Sequence, residues 1–504
     1  MSLRSRIFSA ISALALTAGL VACANVSEAA PSLQGVPSSL AKFYTQKITW
    51  AKCGSILCSN VMVPMNWADP TGATINIAIN VHKARKSTHY LLVNPGGPGA
   101  SGTDFVKSSY SYIGTATMRA YYNVVGFDPR GTGTSSPVNC LDNAGLDDLL
   151  YGDSPYALGS AQDIAFTRTT WSNFATACQQ HTGAVLQYLD TVSAAKDMDV
   201  IRAALGQKKL DYLGYSYGTF LGTTYAALFP TKVNRFVLDG AIDPRVSDEQ
   251  SSLSQLQGFD KALTDYVTWC LARLSCPLTG TVAEARDQIS AILRHYETAT
   301  ADSQLDDRKL NLSSLETGLI MGLYSNSYWK YLNQAFSDLL ATPADGTWFM
   351  RLADAYNDRN ADGTYADNIF SANIAINCLD GRSASDDASM AAQNQKVLAA
   401  SSVFGRYWQY GALGCASWPY PVAQRPASYA AKGSPTIMVI GTTGDPATPY
   451  QQAVDLAHKV LAKGFLVTYK GEGHTAYGRS NQCIATTVDN FLTKGTLPKK
   501  EPKC

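Results

Sequence analysis

Leu210-Asp-Tyr-Leu-Gly-Tyr-Ser-Tyr-Gly-Thr-Phe220 is the stretch on which the fold turns. It holds Gly214-Tyr-Ser-Tyr-Gly218, a G-x-S-x-G pattern, between an apolar run and a helix-compatible run over 219–228. A strand that turns sharply into a helix holds its central serine on a strained elbow, with Oγ exposed above the sheet. Glycine at either end lets the two backbones pass close together without a Cβ in the way. In a chain this long the bare pattern arises by chance roughly one time in five. Its weight therefore rests on what surrounds it.

Strands and helices alternate around the elbow. Residues 74–81 alternate in polarity and read as an edge strand, while 90–93 and 122–127 are short continuous apolar runs of the buried parallel kind. A helix is expected over 193–205 with Asp197 and Asp199 on its polar side. The elbow strand and helix follow, then a strand over 235–238. Such alternation predicts an α/β fold, a mostly parallel sheet with helices on both faces. From about 246 to 425 strand runs give way to helical periodicity, as over 253–274, 282–298 and 315–340. This is too long for a loop and reads as an inserted helical lid. Strand character resumes over 435–440 and 465–469, and a helix over 483–492 closes the chain. At 504 residues the expected organisation is a leader (1–39), a core (40–245), a lid (246–425) and the rest of the core (426–504).

A hydrophobic content of 46%, a charged content of 16% and a net charge of +1 describe a globular protein with no nucleic-acid partner. The basic clusters Lys83-Ala-Arg-Lys86 and Lys499-Lys500 are short and read as solvated surface. Arg4 and Arg6 precede an apolar stretch over 7–22 and a small-residue region with Ala22-Cys23-Ala24, the layout of a secretory signal peptide. Leu20-Val-Ala-Cys23 also resembles a bacterial lipobox, so lipidation at Cys23 and cleavage at a later alanine both stand open. No other stretch is long and apolar enough to span a bilayer, so the mature chain is expected to be secreted or held at the cell surface by lipid. Ten cysteines remain after Cys23, and in an oxidising compartment neighbours are expected to pair: Cys53/Cys58, Cys140/Cys178, Cys270/Cys276, Cys378/Cys415 and Cys483/Cys504. No C-x-x-C or H-E-x-x-H spacing exists, and neither a metal nor a cofactor is expected.

A serine hydroxyl needs a base within hydrogen-bond reach, and the base needs an orienting acid. In this strand-elbow-helix arrangement the partners follow in the order serine, acid, histidine. His82, His89 and His181 precede Ser216, His295 falls in the lid, and His458 sits in a helical stretch. That leaves His474, in the loop Gly471-Glu-Gly-His-Thr475 after the last strand. Asp445, in Gly441-Thr-Thr-Gly-Asp-Pro-Ala-Thr-Pro449, is preferred as the acid. Asp239 and Asp243 are the alternatives, with Asp239 expected to cap or brace a sheet edge. An oxyanion hole needs two backbone N–H groups. Tyr217 would supply one, and Gly97, or failing it Gly96, the other, from the loop Val93-Asn-Pro-Gly-Gly-Pro-Gly-Ala-Ser-Gly102.

Asn94-Pro-Gly-Gly-Pro-Gly99, Gly126-Phe-Asp-Pro-Arg-Gly-Thr-Gly133, Gly214-Tyr-Ser-Tyr-Gly218, Val237-Leu-Asp-Gly-Ala-Ile-Asp-Pro244 and Gly444-Asp-Pro-Ala-Thr-Pro449 together resemble the secreted tripeptidyl aminopeptidases of actinobacteria. These belong to the proline-iminopeptidase-like α/β-hydrolases. The resemblance runs from about Trp50 to the C-terminus and is weakest in the lid, at Ile376-Asn-Cys-Leu-Asp380 and Cys415-Ala-Ser-Trp-Pro419. It implies a Ser216, Asp445, His474 triad and release of short peptides from free N-termini. It also implies an acidic group near the lid that holds the substrate's ammonium, for which Asp380 is the candidate. Asp380 could equally cap a lid helix beside a disulfide. Proline iminopeptidases carry His-Gly where this chain has Asn94-Pro95, which favours tripeptide over single-residue release. The competing functions are an esterase or lipase on the same core, a proline iminopeptidase, and a non-catalytic binding protein of this fold.

Overall fold

The computed structural model describes residues 36–504; the leader features, Cys23 among them, lie outside the described residues. Nine strands form one sheet: β1 (Ala51–Cys53), β2 (Ile56–Pro64), β3 (Thr74–His82), β4 (Tyr90–Asn94), β5 (Asn123–Phe127), β6 (Leu210–Tyr215), β7 (Val233–Asp239), β8 (Ile437–Gly444) and β9 (Gly464–Glu472). Their spatial order is β1-β2-β3-β5-β4-β6-β7-β8-β9. The pairings from β1 through β3 to β5 are antiparallel, and those from β5 to β9 are parallel. With the serine turn at the carboxyl end of β6, this is the α/β-hydrolase fold.

The central strands are continuous apolar runs because both faces of the sheet are covered. Successive side chains point to opposite faces. Leu92, Tyr212, Leu238 and Val439 enter the core beneath the elbow helix Tyr217–Leu228. Leu91, Leu213, Val237 and Ile440 enter a second core under the closing helix Gln482–Lys494.

β3 is not an edge strand. Residues 51–64 form β1 and β2, and β2 pairs with β3 from Leu57↔Val81 to Pro64↔Thr74. Asp197 and Asp199 are not on a solvated side of the helix Thr191–Ala204. Asp197 is buried in a two-pronged ion pair with Arg130, and Asp199 accepts from Arg202, Tyr44 and Tyr225. Carboxylates tolerate such burial only when paired in this way.

Between β7 and β8 the chain is mainly helical, with helices including Asp248–Leu271, Val282–His295, Leu312–Leu323, Trp329–Leu339, Thr347–Tyr356, Ile369–Asp380 and Asp387–Ala400. The helix Ile369–Asp380 packs Ala372, Ala375, Ile376 and Leu379 into the core beneath the elbow helix, but most of these helices share a core of their own, built on Phe259, Tyr266, Leu319, Phe336 and Phe349. Tyr151, from the helix Asn143–Tyr151 ahead of the elbow, also enters it. The helix expected over 315–340 is broken at Tyr324–Tyr328, where Ser325 caps a new turn. The break frees the Tyr324 carbonyl to accept from His474 N–H at 2.8 Å. The five expected cysteine pairs are joined as disulfides. Among the described residues no helix is long and apolar enough to cross a membrane.

Candidate active site

Ser216 stands between the end of β6 and the first turn of the elbow helix with φ 54° and ψ −125°. A non-glycine residue pays for a positive φ, so the surroundings must enforce it. Gly96 provides part of that enforcement. A Cβ there would lie 2.7 Å from the Tyr215 carbonyl and 2.9 Å from Ser216 Cβ, so only glycine lets the β4 loop lie against the elbow. Gly214 and Gly218 are crossed as closely: a Cβ on Gly214 would meet the Gly218 carbonyl at 2.4 Å.

Asp239 ties the serine turn to the histidine loop. Its carbonyl accepts from Ser216 N–H at 2.8 Å, and its carboxylate accepts from Ala476 and Tyr477 N–H at 2.7–3.0 Å. It braces the loop that carries His474 rather than a sheet edge, because β7 lies between β6 and β8. Burial pushes its carboxyl up to about 6, against the lowering effect of those N–H bonds. Asp243 is engaged by Arg245 at 2.7 Å.

His474 Nδ1 lies 2.9 and 3.0 Å from the two oxygens of Asp445. The carboxylate accepts, so Nδ1 carries the proton and Nε2 is left as the basic nitrogen. Asp445 also accepts from Ala447 N–H, Thr448 N–H, Thr448 Oγ1–H and Thr475 N–H. The Asp445 side chain is fully buried and that of His474 is 14% exposed. The other described histidines are engaged elsewhere: His82 stacks on Tyr110, His89 on Tyr121, and His295 lies edge-on to Tyr296. His181 bonds the Cys140 carbonyl and His458 pairs with Glu501.

Gly96 N–H donates to Asn94 Oδ1 at 3.0 Å. The N–H groups of Gly97 and Tyr217 have no partner among the described residues. Gly97, at φ 102°, is exposed, and of the two loop glycines only Gly96 has its N–H engaged among the described residues. Gly97 and Tyr217 border a cavity of ≈ 440 Å³, within the range of small-ligand sites, whose lining does not include Ser216, Asp445 or His474. Gly97, Pro98, Tyr217 and Phe220 line its core side, and Asp248 and Asp380 stand in the lid wall.

Asp380 is the last residue of the helix Ile369–Asp380. Its oxygens accept from Thr191 N–H at 2.8 Å and from Thr191 Oγ1–H at 2.5 Å. Burial raises its carboxyl to about 7, although the Thr191 bonds pull it down. Thr191, Asn373 and Tyr324, which all bond to residues around the serine and histidine turns, carry no motif that singles them out in the sequence. Thr191 alone has a local signal, since Asp190 before it reads as a helix N-cap.

A family profile described as "TAP-like protein" matches residues 401–504. Serine protease Hip1 of Mycobacterium tuberculosis is 33% identical over 482 residues, covering 91% of each chain. Carboxylesterase B of the same organism is 34% identical over 454 residues, 89% of this chain and 86% of its own. Tripeptidyl aminopeptidase of Streptomyces coelicolor is 30% identical over 489 residues, 94% of this chain and 88% of its own. The chain belongs to the tripeptidyl-aminopeptidase-like family of α/β-hydrolases.

Proposed function

We propose that this protein is a secreted serine exopeptidase that releases short peptides from free N-termini. Ser216 is the nucleophile, His474 the general base and acid, and Asp445 the group that orients His474 and stabilises its imidazolium. His474 Nε2 takes the Ser216 proton as Oγ attacks the scissile carbonyl. The Tyr217 and Gly97 N–H groups receive the developing oxyanion. His474 then protonates the leaving amine, and water clears the acyl-enzyme by the reverse sequence. Asp248, in the wall of the cavity, supplies a negative charge for a substrate ammonium, whereas Asp380 accepts both the N–H and the hydroxyl proton of Thr191.

The observation that carries this reading is the Asp445–His474 bond on a loop that Asp239 ties to a serine held at positive φ. The mycobacterial serine protease and the streptomycete tripeptidyl aminopeptidase support the choice of a peptidase. The five disulfides support export, and a lipid anchor at Cys23 remains part of the proposal. A defined peptide incubated with the enzyme should lose a short N-terminal fragment, identified by mass spectrometry, and Ser216→Ala should abolish its release. The carboxylesterase relative favours a second reading, an esterase on the same site. Equal turnover of N-acetylated and free tripeptidyl substrates would select it.

A further inference from the structure

One lid helix touches both sides of the oxyanion hole. Its first turn supports the loop that carries Gly97. Asn373 Nδ2 donates to the Pro98 carbonyl at 3.0 Å. A Cβ on Gly99 would lie 2.7 Å from the Ile369 carbonyl, 2.9 Å from Asn373 N and 3.0 Å from Ala372 Cβ, so the loop backbone rests directly on the helix. Asn377 Nδ2 donates to Asn373 Oδ1 at 2.9 Å, which fixes the amide so that its NH₂ faces Pro98.

The other end of the same helix reaches Tyr217. Asp380 accepts both the N–H and the hydroxyl proton of Thr191. The Thr191 hydroxyl has only one proton, so in its 2.5 Å contact with Tyr217 Oη the tyrosine is the donor. The chain of bonds runs Tyr217 Oη–H to Thr191 Oγ1–H to Asp380, with every member buried. Thr191 N–H is one of the donors that a helix N-terminus leaves unpaired, and Asp380 satisfies it. The Tyr217 side chain is thus pinned while its backbone N–H stays unpartnered.

We propose that the helix Ile369–Asp380 sets the spacing and direction of the two oxyanion donors, with Asn373 and Asp380 as positioning residues acting through Pro98 and through Thr191–Tyr217. This rests on the serine-hydrolase reading of Ser216, Tyr217 and Gly97. It gives Asp380 a task that needs no substrate ammonium. Oxyanion donors act through their geometry at the transition state, so a misplaced donor lowers kcat and leaves KM nearly unchanged.

The test compares two substrates, a free tripeptidyl p-nitroanilide and p-nitrophenyl acetate, which has no ammonium. Asn373→Ala, Asp380→Asn and Thr191→Val are each expected to lower kcat by about 10- to 100-fold on both substrates, with KM within about threefold. Thr191→Ser, which keeps the hydroxyl, should retain most of the activity. Circular dichroism separates these effects from misfolding, and Thr191→Ser against Thr191→Val keeps the comparison open if Asp380→Asn does not fold. A loss confined to the peptide substrate, or a raised KM with kcat unchanged, would overturn the positioning role and leave Asp380 as an ammonium anchor. Ser216→Ala tests the underlying reading separately: if it hydrolyses p-nitrophenyl acetate like the wild type, the site assignment fails whatever the lid variants do.

Discussion

Asp239 shows how one buried carboxylate couples the serine turn to the loop that carries His474. Its folded carboxyl is raised to about 6 by burial, whereas an unfolded aspartate titrates near ~3.9. Between about pH 4 and 6 the folded state therefore holds a proton that the unfolded state has released. The resulting stability is fully present below about pH 4 and is lost as pH rises through about 6. Asp239→Asn lacks that titration. Denaturant unfolding from pH 4 to 7 should show the wild type losing on the order of 2 kcal/mol more than the variant across this window. Parallel curves would contradict the assignment. Asp445→Asn should act differently. It keeps the fold but can turn an N–H toward Nδ1 and favour the wrong tautomer, so kcat should fall about 10³- to 10⁴-fold with a small effect on KM, read by steady-state kinetics. The strand-to-helix turn at Ser216 and the meeting of His474 with Asp445 were legible in the sequence because the elbow motif and the order of the partners leave few alternatives. Asp239 was legible only as a brace; what it braces depends on a loop 237 residues away. Thr191 and Asn373 were not legible, because their roles arise from contacts between elements and no short pattern encodes them.

At the scale of elements, Gly96 is the most exposed to test. Its φ of 105° and the 2.7 Å approach to the Tyr215 carbonyl mean that Gly96→Ala must push the β4 loop off the elbow. A shift of about 1 Å at the donors costs on the order of 100-fold in rate. We expect at least that loss in kcat on an ester substrate, together with a lower melting temperature. Gly159→Ala, also at positive φ but with nothing within 4 Å, should carry backbone strain alone and leave kcat unchanged. The central strands were legible for the reason that both faces are covered: their apolar runs admit little else. β2 carries no clear strand signal because Cys58, Ser59 and Asn60 interrupt its apolar alternation, and without β2 the alternating β3 reads as an edge. The break at Tyr324–Tyr328 was hidden for a related reason. Its sequence can continue a helix, and the turn instead lets the Tyr324 carbonyl meet His474 N–H in the other half of the molecule.

At the largest scale, the helical stretch between β7 and β8 divides between two cores. Most of its helices pack on a core of their own, but Ile369–Asp380 packs into the core beneath the elbow helix and is bonded to the β4 loop and, through Thr191, to the elbow. The Cys378–Cys415 disulfide fastens that helix to Leu413–Ala416, which packs with Trp171 of the helix Ala161–Thr182. Closing a 37-residue separation restricts the unfolded chain by about 4 kcal/mol on the chain-entropy account, against about 2 kcal/mol for the 5-residue separation of Cys53–Cys58. The two bonds should also differ in kind. Cys53 and Cys58 close the β1–β2 hairpin at the far edge of the sheet, so their double serine variant should lose stability and keep kcat. Cys378→Ser with Cys415→Ser loosens the helix that holds Asn373 and Asp380. In this variant urea should abolish ester hydrolysis at a lower concentration than it abolishes far-ultraviolet circular dichroism, whereas in the wild type the two transitions should coincide. Coincident transitions in the Cys378/Cys415 variant would mean that the bond stabilises the whole fold evenly and that the lid helix keeps its grip on the site without it.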